Sequence, residues 1–282
     1  MSRVLLPSSL NEMWDLLHRE PEALIFAGGT DLLVKRREGI IDGTVLIGLE
    51  RISEIRGVRD EGGQIWIGAG STHTRLLNEP LVQHHLPVLI QALRTLGSPP
   101  IRNMGTIGGN ICTASPAGDT LPPLYVLDTS VVLQSADNVR EVPIGTFITG
   151  PGKTGLNKGE ILTGVRVKKP LGYTLHHYEK VGQRRALACC VAGMAALIKV
   201  SPSGIIEAAK LAWGSVAPTV AVFPDVEASL IGRPLSPTVL EEAAVVVRKA
   251  VTPIDDVRAS ADYRRLVAGN LLLRLSAVNP SS

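Results

Sequence analysis

The sequence is short of cysteine, of aromatic residues and of net charge, and each shortage closes off a class of function. Its three cysteines are Cys112, Cys189 and Cys190. An odd count without a secretory signal argues against a disulfide scaffold. Three thiols, two of them adjacent, cannot supply the usual four ligands of an iron–sulfur cluster, and no Cys/His spacing matches a zinc site. Any redox work must therefore use an organic cofactor. Aromatic residues make up 4% of the chain and the formal net charge is only +3. No basic stretch alternates with aromatics, so nucleic acid is not the expected main partner. The longest apolar run, Ala186 to Ile198, is too short for a bilayer, which takes about 20 residues. The apolar patch between Met1 and Pro7 is too brief for a signal peptide, and a cytoplasmic location is the default expectation.

What remains is ample material for a core. The chain has 282 residues, 45% of them apolar and 20% charged. At about 100–200 residues per domain this gives two domains or one large one. The N-terminal part reads as a β-α-β unit. Ser9 to Glu12 is a capping-box pattern that opens a helix with Leu10, Met13, Trp14 and Leu17 on one face. A short strand covers residues 23–26, a helix runs from Leu32 to Arg37 and stops at Gly39, and a second strand covers residues 44–49. The crossover is long enough for a parallel pair. Further on, residues 64–68 form a strand and a helix starts near Thr72. Residues 87–96 are helical until Gly97-Ser98-Pro99-Pro100 breaks the pattern. Val131 to Gln134 is a strand, and residues 142–159 are rich in turn formers. The character changes near residue 170. Tyr173 to Lys180 alternates as a strand does, residues 186–200 form a small-apolar run, and Ala208 to Trp213 is a third strand, with a turn at Ser201 to Gly204 between the last two. Ser236-Pro237 starts a helix that runs to Lys249, and a last helix covers about 260–275, ending in a polar tail.

Gly-Gly occurs twice in a setting suited to phosphate: Ala27-Gly28-Gly29-Thr30-Asp31, and Thr106-Ile107-Gly108-Gly109-Asn110, which runs on to Asp119. A phosphate needs several backbone N–H donors aimed inward with no side chain in the way, which glycine permits. A helix starting just after the loop adds a favourable dipole. The first loop meets both demands, with Thr30 as a hydroxyl donor; Asp31 can cap the helix or order the loop. The second offers Thr106 and Asn110 side chains, a turn fixed by Ser115-Pro116, and Asp119 as an acceptor for ribose hydroxyls or a ring N–H. Neither G-x-G-x-x-G nor G-x-x-x-x-G-K-[ST] is present, which removes the Rossmann fingerprint and the P-loop. The alternative reading of each Gly-Gly is a tight turn between strand and helix.

Taken with three further segments, these loops resemble the FAD-binding medium subunit of molybdenum-containing hydroxylases, the family that includes xanthine dehydrogenase and carbon monoxide dehydrogenase. The further segments are Gly150 to Thr154 through Glu160-Ile161-Leu162, Tyr178-Glu179-Lys180 with Arg184, and Ala261 to Arg265. The resemblance covers about residues 5 to 275. It implies an α+β chain: a PCMH-type FAD-binding fold of two α/β lobes over 1–170, with lobes about 1–55 and 56–170. A C-terminal domain of the CO dehydrogenase flavoprotein type follows over 171–282, built from a three-stranded antiparallel sheet and helices. It also implies roles. Ala27, Gly28, Gly29, Thr30, Asp31 and Leu32 would wrap the FAD pyrophosphate through backbone N–H groups. Thr106, Gly108, Gly109 and Asn110 would bind phosphate and ribitol, with Ser115 in the same set. Asp119 would bond the adenosine side, Leu162 would pack near the flavin, and Lys180 would approach it from the C-terminal domain. Leu96 and Gly97 match a position that flanks the cofactor. Ala188-Cys189-Cys190 departs from a polar or acidic residue followed by a D-I-A-type sequence in many relatives. The insertion that carries iron–sulfur ligands in some relatives is missing.

The implied function is an electron-transfer flavoprotein subunit, with no catalytic or metal-ligating residue of its own. It would work beside a large molybdopterin-binding chain and a small 2Fe-2S chain in a dimer of heterotrimers. The acceptor would be NAD, a quinone or oxygen. The competing readings are a self-contained flavin oxidase and a nucleotide-binding scaffold without redox activity. The remaining candidates have plainer readings: His73 as a solvated or capping helix-start residue, the pairs His84-His85 and His176-His177 as solvated or interface groups, Cys189 and Cys190 as core, and Arg264 and Arg265 as packing and salt-bridge residues.

Overall fold

The computed structural model describes residues 3–184 and 187–278. Met1, Ser2, Ala186 and residues 279–282, which enter the readings of the N-terminal patch, the apolar run and the polar tail, lie outside the described residues. The chain begins β1 (Arg3–Leu5), α1 (Leu10–Arg19), β2 (Leu24–Phe26), α2 (Leu32–Arg37) and β3 (Val45–Gly48). These strands form a parallel sheet in the order β1-β3-β2, the pairing expected of a β-α-β crossover. Ser9 caps α1 by accepting from the Glu12 N–H at 3.2 Å. The Glu12 carboxylate reaches back one residue further than a standard capping box, to the Ser8 N–H and hydroxyl. Met13 is fully buried beneath the sheet with Ile47, Ile52 and Ile55.

A second sheet takes β4 (Val58–Asp60) and β5 (Gln64–Gly68) from one side of a helical stretch. That stretch holds α3 (His73–Leu77), α4 (Pro80–His85), α5 (Pro87–Thr95), α6 (Pro99–Met104), α7 (Ile107–Thr113) and α8 (Leu121–Val126). After it come β6 (Ser130–Gln134), β7 (Val139–Pro143), α9 (Ile144–Phe147), the hairpin β8 (Ile148–Gly150) and β9 (Lys153–Thr154), and β10 (Ile161–Lys168). The sheet order is β4-β5-β10-β6-β7, antiparallel throughout. Ser98-Pro99-Pro100 does more than break α5. Ser98 accepts from the Ile101 N–H and starts α6, with proline at its favoured first position. On β7, Arg140 grips Glu160 with two bonds of 2.7 Å and donates to the Gly155 carbonyl. That guanidinium and the Asn157 amides hold the Glu160 carboxyl down at about 2, below its usual 4.5. A depressed carboxyl stabilises the fold above its unfolded-state pKa and loses that contribution as pH falls through the folded value. Urea midpoints measured from pH 7 to pH 2 are therefore expected to fall less steeply below pH 5 in Glu160→Gln than in the parent chain. Parallel curves would refute this.

The C-terminal part holds β11 (Leu175–Val181), β12 (Ala192–Val200) and β13 (Ile206–Gly214), an antiparallel sheet in that order. It is followed by α10 (Pro224–Leu230), α11 (Pro237–Ala250), α12 (Ala261–Leu273) and a 3₁₀ turn at Arg274–Ala277. The small-apolar run around β12 is explained by burial of both faces. Ala192, Met194, Ala196 and Ile198 face a core shared with α11 and α12. Ala195 and Leu197, the alternate residues, join the core of the five-stranded sheet and its helices, together with Tyr178 and Ala212. A strand buried on both sides shows no polar alternation. The C-terminal sheet thus shares part of its core with the preceding layer. Among the described residues no helix is long and apolar enough to cross a membrane.

Candidate functional site

The two Gly-Gly segments meet. A β-carbon on Gly28 would fall 1.8 Å from the Met104 carbonyl oxygen, so the first loop touches the backbone that leads into the second segment. Asp31 adds a side-chain tie: it accepts from the Thr113 hydroxyl at 3.3 Å, at the far end of α7. It makes no cap bond to α2, and its other partner is Lys35 at 2.7 Å. Of its two expected roles, ordering the loop is the one its contacts describe.

The second segment is not a loop. Gly108 and Gly109 occupy the first turn of α7, although glycine is a poor helix former. Tertiary bonding overrides propensity here. Thr106 caps the turn by accepting from the Gly109 N–H at 3.0 Å. The chain from Gly105 to Gly108 lies against residues 69–73, with the His73 N–H on the Gly105 carbonyl, the Ile107 N–H on Ser71 and the Gly108 N–H on Ala69. That close approach requires glycine at 108, where a β-carbon would meet that of Ala69 at 2.6 Å. Gly109 differs. It is exposed, and an added β-carbon would meet only the Thr106 hydroxyl, at 3.0 Å. Gly108 is thus a packing glycine and Gly109 an open face.

Hydrogen-bond bookkeeping shows what the site offers a ligand. The N–H groups of Gly108 and Gly109 are used internally. Among the described residues, no hydrogen bond is donated by the N–H groups of Gly28, Gly29, Thr30 or Asp31. Those residues are half-buried, Gly29 turns the chain with φ +69°, and α2 begins directly after them. Four consecutive unspent donors at a helix start suit a pyrophosphate. Asn110 directs its carbonyl oxygen at the Thr120 hydroxyl, 2.6 Å away, and Ser115 accepts from the Ala117 N–H within its turn. Leu96 and Leu162 are buried, the first before the Gly97 turn and the second in β10.

Asp119 and Lys180 come together. The Asp119 carboxylate accepts from the Lys180 ammonium at 2.6 Å and from the Tyr178 hydroxyl at 3.0 Å. Both side chains of the pair are only 9% exposed. Tyr178 and Lys180 share a face of β11 because strand side chains alternate with period two. Burial pushes the Asp119 carboxyl up, opposed by Lys180 and Tyr178; burial and the neighbouring carboxylate push the Tyr178 phenol well up. Gln91 clamps the same edge strand, accepting from the Tyr178 N–H at 2.6 Å and donating to the His176 carbonyl at 2.9 Å. Sequence reasoning passed over Gln91, whose one signal is a lone amide inside the apolar stretch of α5.

Several plainer readings change. His73 is neither solvated nor a cap: it is 2% exposed beside Gly105, and burial, with Arg102 nearby, lowers its pKa to about 4, so its ring is neutral near pH 7. Cys189 is exposed, whereas Cys190 is buried and its thiol is pushed up to about 12. Burial pushes the Cys112 thiol to about 12 as well, which leaves it without thiolate reactivity. Arg264 is buried in a salt bridge to Asp256, as its packing reading expects.

A strand-to-helix turn rich in unspent N–H donors, joined to a second glycine segment and backed by a C-terminal sheet, defines a dinucleotide-binding α+β protein without a Rossmann fingerprint. The chain belongs to the family of FAD-binding subunits of molybdopterin dehydrogenases, and as such is a subunit of an oxidoreductase. Residues 1–170 match the FAD-binding domain in molybdopterin dehydrogenase, and residues 177–277 match the CO dehydrogenase flavoprotein C-terminal domain. The FAD-subunit of nicotinate dehydrogenase from Eubacterium barkeri is 32% identical over 92% of this chain and 89% of its own length. The medium chain of glyceraldehyde dehydrogenase from Sulfolobus acidocaldarius is 32% identical over 94% of each chain. The carbon monoxide dehydrogenase of Hydrogenophaga pseudoflava, solved in a form lacking the Mo-pyranopterin moiety of the molybdenum cofactor, superposes with a TM-score of 0.91. It is 30% identical, over 97% of this chain and 95% of its counterpart.

Proposed function

We propose that this chain is the electron-transfer subunit of a multi-subunit molybdenum hydroxylase, holding FAD between its N-terminal lobes and its C-terminal domain. When bound, FAD supplies the redox chemistry, and the protein supplies binding, orientation and electrostatics. The observation that carries the reading is the run of unspent N–H groups from Gly28 to Asp31, tied through Asp31 and Thr113 to the helix of Gly109. In this reading residues 27–32 wrap the pyrophosphate. Gly109 lets the cofactor approach the backbone, while Thr106, Gly108, Asn110 and Ser115 shape that wall. Leu96 flanks the cofactor, Leu162 packs near the flavin, Lys180 approaches it from β11, and Asp119 bonds the adenosine side. The chain divides at about residue 170 into a FAD-binding domain, with lobes meeting near residue 55, and a C-terminal domain.

Electrons reach this chain from a molybdenum site through 2Fe-2S clusters on a small partner chain, and leave to NAD, a quinone or oxygen. The large partner chain carries the molybdopterin cofactor and oxidises the organic substrate, and the assembly is a cytoplasmic dimer of heterotrimers. The relatives' names support a substrate site outside this chain: subunits equally similar to it serve nicotinate and glyceraldehyde dehydrogenases. The test is reconstitution of the purified full chain with FAD, followed by gel filtration and visible absorbance. The expected result is stoichiometric flavin that stays with the protein. A folded chain that retains no flavin would refute the reading.

A further inference from the structure

The three-stranded N-terminal sheet has two faces, and they are covered unequally. Helix α1 closes one of them: Met13 and Ile47 are fully buried there, with Leu5, Ala23 and Ile25 packed against them. Strand residues alternate between faces, so Val4, Leu24, Phe26 and Leu46 belong to the other, where Leu46 pairs with both Val4 and Leu24. Among the described residues these four join no core cluster. The chain crosses from β1 to β2 and then turns back to β3 between them. Right-handed crossovers in opposite directions put their helices on opposite faces, so the second face receives α2. Leu33 of α2 lies there with Phe26, both against the position of a Gly29 β-carbon. Helix α2 is six residues long and none of them is buried. So short a helix is marginal on its own in water. Leu33, Val34 and Ile40 are 46%, 41% and 65% exposed. Beside them opens a cavity of about 530 Å³, lined by Leu33, Arg36, Arg37, Gly39, Ile41 and Asp42.

The charges on this face select its occupant. Lys35 is held by Asp31 and Arg36 donates to the Gly43 carbonyl, whereas the Arg37 guanidinium has no partner among the described residues. An apolar wall flanked by guanidinium groups fits an apolar segment that carries carboxylates, which arginine binds with two parallel bonds. A second copy of this chain fits poorly. A two-fold axis brings the same patch together from both sides, so arginine would face arginine, and like charges across an interface oppose pairing. The cofactor fits poorly as well, because the unspent N–H donors are those of residues 28–31, while Arg36 and Arg37 end the helix about 9 Å further on at 1.5 Å per residue. Resting on the multi-subunit reading, we propose that α2 and the open face of the N-terminal sheet are a docking surface for a sister chain. That chain seats an apolar segment against Leu33, Val34 and Ile40 and sets carboxylates on Arg36 and Arg37.

The experiment purifies the tagged full chain together with its sister chains, recognised by their molybdenum and iron, and makes two measurements. The first is amide hydrogen exchange over residues 33–41 in the complex and in the isolated chain, with and without FAD. Exchange there is expected to slow at least tenfold in the complex (on the order of the protection given by burial in a stable interface) and to stay unchanged when FAD alone is added. The second is the amount of sister chain recovered per tagged chain with V34D/R37E, and with V246D as control. Val246 is exposed on the outer side of α11, 50%. V34D/R37E is expected to lose at least tenfold in recovery while its isolated chain keeps the parent's urea midpoint, and V246D to recover as the parent does. Undiminished recovery with V34D/R37E, or an equal loss with V246D, overturns the proposal. Protection of residues 33–41 by FAD alone overturns it by giving the face to the cofactor. A dimer of the isolated parent chain that V34D/R37E breaks overturns it by giving the face to a second copy. If V34D/R37E does not fold, the exchange measurement decides: unprotected residues 33–41 in the complex overturn the docking surface. A parent chain that purifies with no molybdenum or iron chain strikes instead at the functional reading, so the two failures are distinguishable.

Discussion

Gly28→Ala is expected to cost the folded chain about 3 kcal/mol and to weaken FAD uptake about a hundredfold. The added methyl group would sit 1.8 Å from the Met104 carbonyl oxygen and 2.4 Å from its carbon. Both are backbone atoms at the end of α6, so no side chain can rotate away. Overpacking of this kind typically costs 1–3 kcal/mol, and a clash with fixed backbone belongs at the upper end. The loop can relieve it only by lifting from Met104, which moves the free N–H groups of residues 28–31 out of their common orientation. A binding loss of about 2.8 kcal/mol corresponds to about a hundredfold in Kd. Gly109→Ala separates packing from ligand contact. Its methyl group would meet only the Thr106 hydroxyl, at 3.0 Å, and alanine is favoured over glycine inside a helix by about 1 kcal/mol. The apo protein should therefore be as stable as the parent or slightly more so, while its flavin affinity falls because the open face is filled. Urea unfolding of the apo chains and fluorescence titration with FAD measure both quantities. Equal stability of Gly28→Ala and the parent would remove the argument that the two segments meet at Met104.

Much of this arrangement was legible in the sequence where local rules and tertiary demands agree. Ser9, Thr72 and Ser236 mark helix starts, and each accepts the expected backbone bond. Gly39 ends α2 with φ +70°. The strand at Gln64–Gly68 matches its reading residue for residue. What escaped has physical causes. Strand β10 is the centre of its sheet, buried on both faces for most of its length, so its residues lack the alternation that announces a half-buried strand. Strand β1 is three residues long and exists because Val45–Gly48 offers it an edge. Helix α7 carries two glycines in its first turn and owes its shape to bonds with residues 69–73, which no local pattern encodes. At the site, the types of residue were visible but their partners were not. Asp119 reads as a free acceptor until the fold brings Tyr178 and Lys180 to it across about 60 residues of chain. Cys189 and Cys190 look alike in sequence, yet only Cys190 points into the core.

Arg264→Met is expected to destabilise the chain by about 3–5 kcal/mol, the range for breaking a buried ion pair from one side. Arg264 lies in the first turns of α12 and is 3% exposed. One guanidinium nitrogen donates to the Val191 carbonyl at 2.7 Å and to the Ser215 carbonyl at 3.1 Å, and another donates to Asp256 at 2.7 Å. Methionine fills similar space but donates nothing, so two buried carbonyls lose their donor and the Asp256 carboxylate loses the buried one of its two cations, keeping Arg258 at 3.2 Å. These carbonyls lie just before β12 and just after β13. Ser215 also sends its N–H to the Pro116 carbonyl and its hydroxyl to the Cys190 carbonyl. Arg264 thus ties α12 to the strand ends that press on residues 115–120, the segment that follows the second glycine pair. The loss should therefore reach the cofactor: flavin affinity should fall along with stability, although the polar partners of Arg264 are Val191, Ser215 and Asp256 and not residues 27–32 or 106–110. Arg265→Met is the matched control. Its bond to Asp262 is a surface pair, 41% and 94% exposed, and such substitutions change stability within about 0.5 kcal/mol. Denaturant unfolding of both variants, with and without saturating FAD, measures the difference. A loss below about 1 kcal/mol in Arg264→Met, or one equal to that of Arg265→Met, would mean that the C-terminal sheet is held over the site by its apolar contacts alone.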